Sequence, residues 1–593
     1  MGRFGKSEEI VKRSEAQRTR LWRGIESIRP KLVDIARYVY PCALPGLTRD
    51  VKELASDVED YDGDDAERFT GVPFDAFRVA YSGFYTNLTN PASPWFKLGR
   101  PDFGDRGEDE ADFYAQGYGR LTDATRWLMG WCGAYRALHL VYKHLTAFGF
   151  AGMMIEPDPV RVARAHCLRV GTYALGIDRH GKVDRLVRHF AFTAEQMVEE
   201  YGAENLARNI VEAADRGDAE TKWEVWNLVE PHVRLKGLKK GPWTLSYDEF
   251  SYRSVHWCPE ARDNGAHGLL AVRGYPVKPL VAPRLMFEIG DVYGRGCGAD
   301  VLGQCRALQT MAETRLDLAD QEAHPSLMAP ASMADEGLRL GPLEVNWYPD
   351  GLGPNAVYRA LGDPPAGERT AQEMARLEGE IRKAFFNSEF ETINAMEDQT
   401  AVSGGRGDRM TATEVKARVS EKMEQLAGIA TTLNDELLDP FVTTMAAYAM
   451  LGGLVDAMLP EGAGGALPWD IRYESAIHAA VNAQPINAAV NSLQTASSAA
   501  EAANDPSVLD NFDFDAMARD VHRKLGAPEK YLRKTADRDA LRAERAEAAQ
   551  RAQEAQEAAV RAKALKDAAS APISPETLGG AIAAAGQGEG AVA

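Results

Sequence analysis

The stretch that most constrains this chain is Met410 to Leu437, where an amphipathic helix is entered from a glycine-rich loop. Thr411 and Glu414 form a T-x-x-E capping box, in which a hydroxyl and a carboxylate each accept from an otherwise orphaned backbone N–H. Val415, Val419, Met423, Leu426, Ala430, Leu433 and Leu437 then recur at spacings of three and four and line one face. Glu414, Lys416, Arg418, Glu421, Lys422, Glu424 and Gln425 occupy the other. Such a rod is roughly 40 Å long. Residues 392 to 410 before it have no periodicity, and Gly404, Gly405 and Gly407 open backbone conformations closed to other residues. The pattern predicts a mobile loop on a rigid helix.

The rest of the 593-residue chain is long enough for several domains. The sequence contains no apolar run near the ~18 residues a membrane span needs, and its charged N-terminal stretch lacks the apolar core of a secretion signal. The expectation is a protein with no membrane partner. Six scattered cysteines, none in a C-x-x-C or Cys/His cluster, predict reduced buried thiols and no zinc site. The formal charge of −19 opposes tight nucleic-acid binding, which calls for a basic face. Any DNA must be handled without being gripped.

Residues 1 to 170 are mainly helical by pattern: Glu8 to Tyr40, stopped by Pro41; Thr70 to Asn90; and one long pattern from Phe113 to Phe150 carrying Trp127 and Trp131. Trp95 and Phe96 read as packing residues, and His139 and His144 as surface or core histidines without a metal-ligating partner. A hairpin follows at 173 to 192, then a T-A-E-Q cap at Thr193 and Gln196. Strand-like segments at 222–235, 250–258 and 269–272 give an antiparallel α+β domain, with Trp223, Trp226, Trp243 and Trp257 as its core.

Residues 284 to 303 resemble a phosphate-binding turn, but Gly294, Gly296 and Gly298 give G-x-G-x-G rather than G-x-G-x-x-G, with no clean βαβ unit around them. A tight chain reversal explains them better. Gly5, Lys6 and Ser7 match the end of a Walker A loop with nothing before them, and Arg406-Gly407-Asp408 spells an adhesion tripeptide by chance. Apolar stripes from Val301 to Ala323 and from Met374 to Ala384 predict two helices bracketing about forty Pro/Gly-rich residues. Ala476 to Ala503 is weakly helical, Asn511 to Leu532 is a helix closed at Gly526 and Pro528, and Asp537 to Asp567 is built of strong helix formers.

The ordered set of Trp22 and Ile25 leading to Tyr40-Pro41, NPASPWFKL (90–98), FAFTAEQ (190–196), PRLMFEIGDVYGRGCGADVL (283–302) and MTATEV (410–415) resembles the head-to-tail connector, or portal, family of short-tailed bacteriophages (podoviruses). The resemblance covers about residues 10 to 535. It implies an α+β, ring-forming portal-type subunit: a mixed wing at 1–300, a stem helix at 301–325, a small clip at 326–369, a second stem helix at 370–391 and a tunnel loop at 392–410. A wing helix and return at 411–470, a helical crown at 471–535, a barrel-type helix at 536–569 and a disordered tail at 570–593 complete it. It further implies a ring of usually twelve copies at one capsid vertex of the virion, assembled in the host cytoplasm. Double-stranded DNA passes through it without sequence-specific binding. The implied partners are the major capsid and scaffolding proteins, the terminase large subunit and tail adaptor or tube proteins.

On that resemblance Glu397, Asp398, Gly404, Gly405, Arg406, Gly407, Asp408 and Arg409 face the channel, with Thr411 and Glu414 as the cap behind them. No catalytic residue, metal or cofactor is expected. Repulsion from an acidic wall keeps a duplex central, whereas each phosphate neutralised by Lys or Arg adds affinity through counterion release. The loop charges as plain solvated residues are the bland reading. Two other classes stay open: a nucleotide- or phosphate-binding enzyme using 290–298, and a coiled-coil scaffold or adaptor suggested by 537–567.

Overall fold

A computed structural model describes residues 4–55, 68–99, 108–232, 250–261, 267–323, 327–328, 358–359, 368–390, 426, 428–455, 469–474, 491–500, 506–524, 531–533 and 535–569. The chain divides into two compact units, residues 1–102 with 115–509, and 103–114 with 510–593.

The larger unit begins with α1 (Phe4–Tyr38), which contains Pro30. Gly5, Lys6 and Ser7 sit in its first turns, so they form no phosphate loop. Helix α2 (Val72–Thr89) ends before Asn90-Pro91, and β1 (Phe96–Gly99) follows the aromatic turn. Trp95 and Phe96 are fully buried, as their packing role predicts. The long pattern from 113 to 150 is two helices, α3 (Glu108–Trp131) and α4 (Ala134–Phe148). Gly133, at φ +75°, takes a left-handed conformation that L side chains resist and so separates them.

Beyond α4, β2 (Met153–Asp158) and β3 (Val162–Cys167) make an antiparallel pair. The predicted hairpin is β4 (Tyr173–Ile177) with β5 (Val183–Thr193). Thr193 Oγ1 accepts from the Gln196 N–H at 3.3 Å and Gln196 Oε1 accepts from the Thr193 N–H at 3.0 Å, the capping box of α5 (Ala194–Tyr201). After α6 (Arg208–Asp215), strands β6 (Lys222–Pro231), β7 (Tyr252–Trp257) and β8 (Leu269–Tyr275) complete an antiparallel sheet in the order β4-β5-β6-β7-β8. The short β9 (Leu280–Val281) joins β2.

Alternation along β5 and β6 separates two faces. One packs on α5 and α6 through Met197, Tyr201, Ile210, Val225 and Leu270. Each such large side chain, fully buried, contributes about 1.5–3 kcal/mol. On the other face Trp226 stacks on His189 at 3.9 Å and meets Trp22 of α1 edge-on at 4.9 Å. Trp226 and Trp257 are buried and Trp223 is half-buried against the α5–α6 cluster, while Trp243 lies outside the described residues.

A polar chain ties this sheet to β2. Tyr201 meets His256 Nδ1 at 3.0 Å, His256 Nε2 meets Ser254 at 2.9 Å, and Asn227 donates to Ser254 at 2.6 Å. Arg188 then donates to Asn227 and to Glu156, and Tyr275 donates to the same Glu156 oxygen. Every member has a partner, which keeps a buried polar group from costing stability.

Helices α7 (Leu302–Ala323) and α8 (Glu368–Ala384) pack on each other, and between them β10 (Leu327–Met328) pairs antiparallel with β11 (Tyr358–Arg359). Cys305, Leu308, Ala312, Met374, Leu377 and Ile381 are buried, whereas Leu316 is 56% exposed. The apolar stripe of α7 is therefore covered only in its first half. Helix α8 ends at Ala384, and residues 387–390 are helical again after a break at which Phe386 has φ +56°. Leu426, Ala430, Leu433 and Leu437 of the opening helix are buried, as their spacing predicts. The chain does not stop at Leu437. It widens into a π-turn, Asn434–Leu438, and continues as α9 (Asp439–Leu451). Pro440 lacks an N–H and its ring meets the carbonyl four residues back, which explains the wider turn. The strand β12 (Asp470–Tyr473) then pairs with β1.

The smaller unit contains α10 (Phe514–Lys524) and α11 (Thr535–Ala569), joined by Arg542 to Asp515. Residues 491–500 of the larger unit are helical.

All six cysteines are free, and burial pushes the Cys132 and Cys258 thiols to about 11 and those of Cys297 and Cys305 to about 12. Cys42 is exposed, an exception to the buried-thiol expectation.

Burial also lowers His144 and His189 to about 4. Unfolded histidine titrates near 6.5, so between that value and about 4 the unfolded chain binds more protons than the folded one. Stability is therefore expected to be full above about pH 6.5 and to fall as pH drops toward 4. Thermal melts across that range check this, and replacing His144 by Phe should flatten part of the slope.

Candidate functional site

The segment singled out as a phosphate-turn look-alike is the best-packed junction of the larger unit. The Leu285 N–H donates to the Gly149 carbonyl at 2.8 Å, and the Arg295 N–H to the Met286 carbonyl at 2.6 Å, closing a turn over 286–295. A Cβ on Gly294 would lie 2.4 Å from the Gly149 oxygen, one on Gly296 2.5 Å from the Gly149 nitrogen, and one on Gly298 2.6 Å from the Ala147 oxygen. Gly149 itself has φ +85° and faces Arg295 backbone as closely. These glycines let two backbones touch. The expected chain reversal is present, but only Gly290 in it uses a positive φ, of 98°. The space a phosphate would need is filled by the end of α4, so the enzyme reading finds no support here.

The junction is fastened by Arg284, whose side chain is 1% exposed. Its guanidinium donates to both carboxylate oxygens of Glu436, at 3.1 and 2.8 Å, and to the carbonyls of Asp291 at 2.7 Å and Gly181 at 2.8 Å. It also lies 3.9 Å from the centre of the Phe287 ring. Arginine's planar fork suits this bidentate role, which lysine would not fill. One residue thereby joins the 286–295 turn, the β4–β5 hairpin and the π-turn that precedes α9. Around it, Thr444 of α9 donates to the Lys278 carbonyl at 3.3 Å, and Tyr448 to that of Ile155 at 3.4 Å. Sequence reasoning missed Arg284 and Glu436. The only available signal was an arginine inside an otherwise apolar strand-like run.

Gln309 of α7 plays a similar part on a smaller scale. Its amide accepts from the Phe69 N–H at 2.8 Å and donates to the Thr70 carbonyl at 2.9 Å, holding α7 to the residues that lead into α2. Glu397, Asp398, Gly404, Gly405, Arg406, Gly407, Asp408, Arg409, Thr411 and Glu414 lie outside the described residues, so the structure does not bring them together or separate them. Among the described residues no group of three or more His, Cys, Asp or Glu is placed to hold a metal, and no helix is long and apolar enough to cross a membrane.

Removing one partner of a buried ion pair strands the other and costs about 3–5 kcal/mol. Arg284→Met alone is expected to lower unfolding stability by that order in urea titrations. Arg284→Met with Glu436→Leu should recover most of it, and equal losses in the single and double variants would show that the pair is not the fastening.

Comparison with known proteins agrees with the resemblance. The chain is 27% identical over 456 residues to the probable portal protein of Bordetella phage BPP-1, covering 76% of this chain and 77% of that one. It is 26% identical over 368 residues to the portal protein of Salmonella phage epsilon15, covering 62% and 63%. Among solved structures, a chain of the virion of a native gene transfer agent particle matches at a TM-score of 0.30 and 11% identity, over 72% of this chain and 87% of that one, too loose a likeness to carry an argument. The model of the bacteriophage head to tail connecting proteins matches residues 15–532, and the chain belongs to that family.

Proposed function

We propose that this connector works as a ring at one capsid vertex, the channel through which a terminase packages double-stranded DNA and through which the genome later leaves. The observation that carries the reading is the family match across residues 15–532. The connector role, in the phage virion, follows from the family. The ring of twelve, the terminase, capsid, scaffolding and tail partners, and the passage of DNA are the proposed part. The packing of α7 on α8, with β10 and β11 paired in the chain between them, supports the assignment of 301–325 and 370–391 as stem and 326–369 as clip. In the same scheme 1–300 with 411–470 is wing, 392–410 tunnel loop, 471–535 crown and 536–569 barrel helix. A structural conduit needs no catalytic group. Negative-stain images tell it from a monomeric adaptor, since only a ring shows an open centre.

Two tests concern its parts. The exposed distal face of α7 and the alanine-rich α11 differ in what they can bury, because alanine offers little apolar area. Deleting residues after 536 is expected to leave rings by light scattering; monomers alone would place assembly in the tail. The second concerns residues 392 to 410. Replacing Gly404 and Gly405 by proline restricts the backbone without changing charge, whereas Arg406→Gln with Arg409→Gln removes two positive charges per subunit. The proline variant is expected to form rings that package or retain DNA poorly, with the glutamine variant close to wild type. The reverse result in packaged genome length and ejection would assign the loop an electrostatic role.

A further inference from the structure

Two exposed apolar features stand at opposite ends of one helix. Trp127 and Trp131, one turn apart on α3, are 56% and 52% exposed, and their rings lie parallel at 5.8 Å and 12°. The opposite face of α3 is fully used, with Leu121, Thr125, Leu128 and Met129 buried. The pair stands immediately before α4, which is 15 residues and therefore roughly 22 Å long. At the far end of α4, Gly149 accepts from Leu285, and four residues on from Leu285 is Ile289, fully exposed at the apex of the 286–295 turn. That apex is held rigid. The Asp291 N–H donates to the Glu288 carbonyl at 3.0 Å, the Glu288 N–H donates to Asp291 Oδ2 at 3.2 Å, and Phe287 lies under the Arg284 guanidinium.

An exposed isoleucine on a fixed turn costs solvation with no return in the isolated subunit. Exposed, pre-stacked tryptophans do the same, and tryptophan is the residue most often found at the energetic centre of an interface. The charges beside the two features are complementary. In sequence Glu288 and Asp291 stand beside Ile289, with Arg295 at the close of the same turn, while Arg126 and Arg136 stand beside the tryptophans, with Asp123 as the one acid a turn away. A knob that seats on a separate platform of the next copy makes a heterologous contact, which builds a ring where the rotation between copies closes and does not build a two-fold dimer.

We propose that Ile289 of one subunit seats on the Trp127–Trp131 platform of the next copy of this chain. This rests on the ring reading and names the residues of its subunit contact. The half-exposed tryptophans offer roughly 200 Å² between them. That is a centre for an interface of about 800 Å² per partner and not the whole of it.

The test uses the full-length chain with exposed Cys42 replaced by Ser. Carrying both Ile289→Cys and Trp131→Cys and treated with a short bis-maleimide, it is expected to run as a multimer ladder on a denaturing gel, with neither single variant doing so. Ile289→Asp, and Trp127→Ser with Trp131→Ser, are each expected to raise the subunit concentration at half-assembly by at least about tenfold without lowering the melting temperature. Wild-type protein that stays monomeric at every concentration would overturn the ring reading and this contact with it. Wild-type rings, with no ladder and unchanged assembly in the Asp and Ser variants, would overturn the contact alone. Normal assembly with loss of capsid or tail-protein binding in the tryptophan variant would assign the platform to another partner.

Discussion

The larger unit depends on a guanidinium buried where water cannot reach it. A guanidinium buried without partners is costly, and the Arg284 guanidinium is matched inside the protein by Glu436 with the Asp291 and Gly181 carbonyls. Because those partners come from three separate segments, none can move without stranding a charge. The neighbouring glycines serve the same junction by a different means. With no Cβ on Gly294, Gly296 and Gly298, the backbone of 294–298 lies directly on Ala147 and Gly149, and a methyl group would force it away.

The helical residues 428–433 widen into the π-turn containing Glu436 and run on as α9, whose Thr444 and Tyr448 are bonded to the β-rich part. A π-turn is a costly way to continue a helix and persists only where its surroundings require it. Here Pro440 demands the wider turn and Arg284 holds it. A load arriving along the helix would therefore pass into the sheets.

The surfaces complement the interior. The first half of α7 is buried and its second half is not, and Ile289 with Trp127 and Trp131 is exposed at two ends of α4. Exposed apolar side chains grouped this way are ordinary in a subunit whose folding is completed by its neighbours. The acidic balance of −19 acts at longer range, keeping such a surface soluble before assembly.

What the sequence determined by itself was everything carried by local chemistry. Helix period placed α1, α2, α7 and α8. The Thr193–Gln196 cap and the turn between β4 and β5 were legible because their partners are a few residues apart, and the ordered motifs pointed to the family. Tertiary structure decided the rest. It split the 113–150 pattern at Gly133, left Trp127 and Trp131 outside although they sit on a helical stripe, and carried the helix past Leu437. It also turned a glycine run with the look of a phosphate turn into a backbone contact with Gly149. Arg284 and Glu436 are 152 residues apart. Nothing in either neighbourhood marks the other, because the pairing is set by how three segments converge and not by any spacing along the chain.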